Sequence, residues 1–196
     1  MGSLPARRIF LRALGAAGIL LFLSGCFQPV LAPPKPAGGP DPSPGPGWRV
    51  SNPRAWRYII IHHSATPGGN TAEFDRMHRQ KGWRGVGYDF VIGNGTKSGD
   101  GEVEVTFRWK QQIDGAHAGV PEYNKWGIGI CLVGNFEVAA PSRRQMDSLV
   151  RLVRYLQQEY RIPRSRILGH RDVRAAGTLC PGRRFPMAEL KSRALY

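Results

Sequence analysis

The sequence predicts an α/β fold, a mixed β-sheet packed by helices in one domain, and three observations carry that expectation. The branched apolar run Tyr58-Ile59-Ile60-Ile61 is a buried-strand pattern, and a second such run covers 128–133. Residues 143–160 repeat apolar side chains at every third and fourth position, as a helix with one buried face does. Strand-like and helix-like segments also follow one another in the order β-α-β-β-β-α-β, which suggests a mixed sheet with helices packed against it.

Taken in order, a first strand is expected at 57–62. Residues 71–81 follow as a helix, with Thr71 as N-cap and Phe74, Met77 and His78 on one face. Segments 88–92 and 103–109 read as strands, and 128–133 as a strongly apolar one. Ser142 and Gln145 have capping-box spacing, and Met146, Leu149, Val150, Val153 and Leu156 make the stripe of the long helix. Ile162-Pro163 ends it, because proline disfavours helical backbone in the residue before it. Ile167-Leu168-Gly169 is a short last strand leading to His170. The expected order is β-α-β-β-β-α-β.

The first 47 residues have a different character. Arg7, Arg8 and Arg12 precede a short apolar stretch at 13–23, and Leu23-Ser24-Gly25-Cys26 follows. A basic start and an apolar run too short to span a bilayer read as an export signal, here 1–25. Its end resembles a bacterial lipobox, which makes Cys26 the expected lipidation site and new N-terminus. Phe27 in place of aspartate resembles outer-membrane sorting, on the periplasmic face. Arg7-Arg8-Ile9-Phe10-Leu11-Arg12 resembles a twin-arginine signal, but Ala6 stands where serine or threonine is usual, so both export routes stay open. Residues 27–47 hold eight prolines and four glycines and read as a semi-rigid tether. Its reach is roughly 3 Å per residue, on the order of 60 Å in all. The domain proper is expected at 48–196.

At 41% hydrophobic residues the chain can build a core, which excludes global disorder. The formal charge is +14, and the export segment's three arginines leave +11 for the rest. Such a charge favours adhesion to polyanions but does not choose among nucleic acid, anionic lipid and an acidic wall. No helix-turn-helix, zinc-knuckle or aromatic-basic stacking motif supports nucleic acid, and export removes the chain from it. Three cysteines, Cys26, Cys131 and Cys180, do not suit a complete disulfide framework. Cys131, in an apolar strand, reads as a small buried residue.

The chemistry concentrates in a few places. His62-His63 follows one buried strand, His170 follows another, and Cys180 lies ten residues on within Thr178-Leu179-Cys180-Pro181-Gly182. Two imidazoles and a thiolate suit zinc, and three protein ligands leave a fourth position for water. The spacing is not that of a zinc finger, and a histidine at a strand end is often only a hydrogen-bonded surface residue. On spacing alone both readings stand. Successive strand residues point to opposite faces, so His62 and His63 are not expected to share one ion.

Five blocks carry a resemblance: IIIHHSAT at 59–66, GWRGVGYDFVIGNG at 82–95, DGAHAG at 114–119, YNKWGIGICLVGNFE at 123–137, and GHRD with TLCPG between 169 and 182. In this order they resemble the type-2 N-acetylmuramoyl-L-alanine amidases, and more closely the peptidoglycan recognition proteins and small phage amidase-lysozymes. The match runs from about 56 to 186 and excludes the signal and tether. It implies a single amidase/recognition-like domain whose Zn2+ is held by His62, His170 and Cys180, with His63 as the alternative to His62. It implies Tyr88 as the active-site tyrosine, and Thr178 at a position where family members have lysine or threonine near the metal. His117, Asn124 and His63 are implied on the substrate side, and His78 matches a family histidine before Gly-Trp. Residues 96–113 depart from the vertebrate-type pattern, so substrate contacts there are not carried over.

The implied activity is zinc-dependent hydrolysis of the amide between the lactyl group of N-acetylmuramic acid and L-alanine of the peptidoglycan stem. The implied partners are peptidoglycan or muropeptides and, through the lipid, a membrane. Two rivals are a non-catalytic peptidoglycan-binding module, whose members commonly lose the cysteine ligand, and a zinc peptidase cutting within the stem. Stem-residue preference and oligomeric state are not legible.

Overall fold

A computed structural model describes residues 43–196; the export segment, Cys26 and most of the tether lie outside the described residues. Five strands form one mixed sheet: β1 (Tyr58–His63), β2 (Phe90–Ile92), β3 (Val103–Val105), β4 (Gly127–Leu132) and β5 (Ile167–Gly169). Their spatial order is β3-β2-β4-β1-β5, with β3 antiparallel to β2 and every other pairing parallel. Helices α1 (Thr71–Gln80), α2 (Phe107–Gln111), α3 (Pro121–Trp126), α4 (Arg143–Tyr160) and α5 (Met187–Arg193) complete the domain.

The two faces of the sheet do different work. In register across it run Phe90, Ile130 and Ile61, all fully buried beside Leu149, Val153 and Leu156 of α4 in the main core. One residue further along, Val91, Cys131 and His62 form the next row, which strand alternation turns to the opposite face. There Val91 packs with Phe74 of α1 in a smaller cluster that Met77 and Tyr88 join. The polar site grows on this thinner face, at the carboxyl end of parallel strands, where α/β sheets commonly place ligands.

The long helix forms as the apolar stripe requires. Ser142 Oγ accepts from Gln145 N, and the Gln145 side chain accepts in return from Ser142 N. The Gln145 amide is buried and also donates to the carbonyls of Ile92 and Val133, so the cap ties α4 to the ends of β2 and β4.

Several expected boundaries shift. Asn70, not Thr71, caps α1, because its Oδ1 accepts from Glu73 N at 2.9 Å. Strand 103–109 is instead β3 followed by α2, because Thr106 turns its hydroxyl to Arg108 N and opens a helix. Tyr88 lies just before β2 rather than in it. The sequence order therefore gains α2, α3 and α5, each of seven residues or fewer and too short for a helical period to register.

Candidate metal centre

His62 and His63 end β1 and diverge, as strand alternation requires. His62 turns to the site face and is 1% exposed. His63 Nδ1 instead accepts from Phe136 N at 3.0 Å, and its ring lies against that of Phe136. On the neighbouring strand β5, Gly169 pairs with Ile61, so His170 emerges beside His62 with ring centroids 4.6 Å apart. Cys180 returns on a loop, where His63 N donates to its Sγ at 3.3 Å and Cys180 O accepts from Arg171 N. One donor atom each from His62, His170 and Cys180 thereby lies within 4.8 Å of the other two.

The ring nitrogens have distinct neighbours. His62 Nδ1 is 3.7 Å from Cys180 Sγ, while its Nε2 is 3.0 Å from His117 Nδ1. His170 Nε2 is 3.1 Å from the Ala118 carbonyl, which leaves its Nδ1 to the cluster. Burial holds the His62 imidazole well below its ordinary range, with His117, His170 and His63 adding in the same direction. Burial also lowers His170, against the Ala118 carbonyl, and lowers His117 to about 3. These imidazoles are neutral at physiological pH and keep lone pairs.

Burial pushes the Cys180 thiol up to about 12, opposed by the His63 amide and by Arg171. A backbone N–H aimed at sulfur favours the thiolate, and a divalent cation among these donors would complete the ionisation. Two neutral imidazoles and one thiol facing each other are the donor chemistry of a zinc site, and the residues present fit that ion.

A cleft of about 310 Å³ opens over the cluster. Tyr88 lines it, its ring 5.2 Å from that of His62. Burial raises the Tyr88 hydroxyl well above its usual range, and the Cys131 and Cys180 sulfurs nearby push it the same way. Thr178 also lines the cleft, and its Oγ1 accepts from Cys180 N at 3.1 Å, leaving the hydroxyl hydrogen to donate elsewhere. The Ser64–Thr66 turn that follows β1 is held by a 2.7 Å bond between their hydroxyls.

Of the residues expected on the substrate side, His63 and His117 line this cleft, and Asn124 is not among its lining residues. His117 is only 6% exposed and bonds His62. Asn124 spends its Oδ1 on two backbone amides, His117 N at 2.9 Å and Ala118 N at 2.8 Å. His78 has its Nδ1 on Gly87 N at 3.0 Å and its ring beside Trp83. Trp83, 43% exposed on the cleft wall, was not singled out from the sequence beyond its block. The Gly82-Trp83 pair was the available signal. The influence of Cys131 on the Tyr88 hydroxyl had none, because a cysteine in an apolar strand reads as filler.

A family model described as N-acetylmuramoyl-L-alanine amidase matches residues 52–183. Among curated proteins, peptidoglycan-recognition protein LB of Drosophila melanogaster is 35% identical over 146 residues, 69% of this chain and 58% of that protein's length. Among solved structures, the endolysin N-acetylmuramoyl-L-alanine amidase LysCS from Clostridium intestinale is 34% identical, with a TM-score of 0.62 over 71% of this chain and 83% of that one. A Drosophila PGRP-LB mutant in complex with tracheal cytotoxin is 30% identical, with a TM-score of 0.58 over 74% of this chain and 89% of its own.

Proposed function

The chain belongs to the N-acetylmuramoyl-L-alanine amidase family, and on that premise we propose that it hydrolyses the amide between the muramic acid lactyl group and L-alanine of peptidoglycan. His62, His170 and Cys180 would hold zinc for this reaction. The observation that carries the proposal is the meeting of those three donors under a cleft walled by Tyr88 and Thr178. A bound zinc supplies Lewis acidity, which polarises a carbonyl and makes water acidic at neutral pH.

The chain's own residues would do the rest. Tyr88 lines the cleft with its ring beside that of His62, and its hydroxyl can relay a proton to the departing alanine nitrogen. Thr178 has a hydroxyl hydrogen free of its own backbone bond and can donate to oxygen as negative charge develops there. Trp83 offers an apolar face at the cleft wall against which a sugar ring can pack.

The recognition proteins among the relatives favour a second reading, in which the same cleft binds wall fragments without cutting them. The two differ in one product. Purified sacculi incubated with the zinc-loaded protein should release free stem peptides and keep intact glycan strands, read by mass spectrometry. Bound but uncut muropeptide would establish the recognition reading, and cleavage within the stem would make the protein a peptidase. We further propose that the domain works from a membrane, anchored through Cys26 on the periplasmic face.

A further inference from the structure

The loop that follows α2 is held by four consecutive backbone amides. Gly115 N donates to Asn124 O at 2.8 Å and Ala116 N to Gly87 O at 2.9 Å. His117 N and Ala118 N then share Asn124 Oδ1. Two glycines make room for it. A Cβ on Gly129 of β4 would lie 2.5 Å from the His117 ring, and one on Gly87 would lie 2.2 Å from Ala116 O.

From this seat the loop reaches both candidate histidine ligands. The Ala118 carbonyl only accepts, so the nitrogen facing it, His170 Nε2, carries the hydrogen. His117 Nε2 faces the Gly127 carbonyl at 3.3 Å, so its hydrogen lies there and its Nδ1 is the bare nitrogen. His62 Nε2 must then be the donor in the 3.0 Å bond to His117 Nδ1. Both histidines are left with the lone pair on Nδ1, which in His62 is the atom 3.7 Å from Cys180 Sγ.

We propose that His117 and the Ala118 carbonyl act as a tautomer clamp, positioning His62 and His170 so that each presents a bare Nδ1 to the metal. His117 is on this account a positioning residue, not a substrate contact. The proposal rests on the metal-site reading above and adds what sets the ligand atoms. Partners that fix a ligating histidine's tautomer are typically worth 10–100-fold in metal affinity.

Two measurements on the full chain test it. In the metal-free wild type, long-range ¹⁵N–¹H imidazole spectra should show His62 and His170 as Nε2–H tautomers at neutral pH. Zinc affinity by competition with a chromophoric chelator should fall 10–100-fold in His117→Phe. It should stay near wild type in His117→Asn, whose Oδ1 can accept where Nδ1 did. A Nδ1–H tautomer at His62 would overturn the proposal, as would wild-type affinity in His117→Phe, or a loss in His117→Asn as deep as in His117→Phe. Failure of the wild type to bind zinc would instead remove the metal-site reading, and the tautomer spectra, which need no metal and no variant, would still decide this one.

Discussion

At Cys180 two demands oppose each other: a buried thiol resists ionisation, yet a zinc ligand must be a thiolate. Cys180→Ala removes the sulfur and should abolish both tight zinc binding and hydrolysis, measured as metal content and stem-peptide release. Zinc at wild-type stoichiometry and affinity in that variant would reject Cys180 as a ligand. His62 and His63 give the sharper contrast, since one faces Cys180 and the other bonds Phe136 N. His62→Ala should lose zinc and His63→Ala should keep most of it; the reverse would exchange their roles. Tyr88→Phe should keep zinc and fold but lose roughly 10²–10⁴-fold in turnover, the usual worth of a general acid. Thr178→Val should do less harm, because a neutral hydrogen bond stabilises developing charge less than proton transfer does. Undiminished turnover in Tyr88→Phe would make that side chain a packing residue.

Among the elements, β4 is where backbone and site meet. Gly129 N donates to Asp89 Oδ2 at 2.8 Å and Gly129 O accepts from Asp89 N, which locks the residue after Tyr88 onto the strand. Asp89 is fully buried, and burial raises its carboxyl to about 7, opposed by Gly129 N, Arg108 and Arg54. The folded state therefore holds a proton that the unfolded chain, with an ordinary carboxyl near 3.8, releases sooner. Between about 4 and 7 the folded form binds more protons, so this group's contribution to stability falls as pH rises through that window, and the loss is complete above it. Asp89→Asn keeps an acceptor for Gly129 N and cannot ionise. Its melting temperature relative to wild type should climb from pH 4 to 7 and level off above. A difference that stays flat across that range would mean that Asp89 is ionised in the fold throughout.

The same scale explains what the sequence could convey. β1 and β4 were legible as continuous apolar runs and α4 as a long helical stripe, and the Ser142–Gln145 box marked the start of α4. Helices α2, α3 and α5 were not, since one or two turns leave no period and their stability comes from packing. The ligand candidates were legible from residue type and from family blocks. The duties of His117 and Asn124 were not, because both depend on a fold-back that brings residue 117 across β4 to residue 62.

At the scale of the whole molecule, charge and tether belong to one question: what keeps the domain near its substrate. Among the described residues no helix is long and apolar enough to cross a membrane. The proposed attachment runs through Cys26, which lies outside the described residues, and through the net positive charge of the chain. A single acyl chain binds membranes only marginally, so stable anchoring takes two signals, either two chains or one chain with a basic surface. A diacylated Cys26 would meet that need alone and leave the basic charge for adhesion to an anionic wall. Salt separates these roles, because ionic attraction is screened within a Debye length of about 8 Å at physiological strength and about 3 Å at 1 M, whereas acyl burial is not. High-salt washing should therefore strip protein from isolated walls and leave it in the membrane fraction. Mass spectrometry of that fraction should find the mature chain beginning at a lipidated Cys26, and Cys26→Ala should be either unprocessed or soluble after export. Release of the whole mature chain by salt, or an unmodified Cys26 at a free N-terminus, would make the domain a secreted protein held by charge alone.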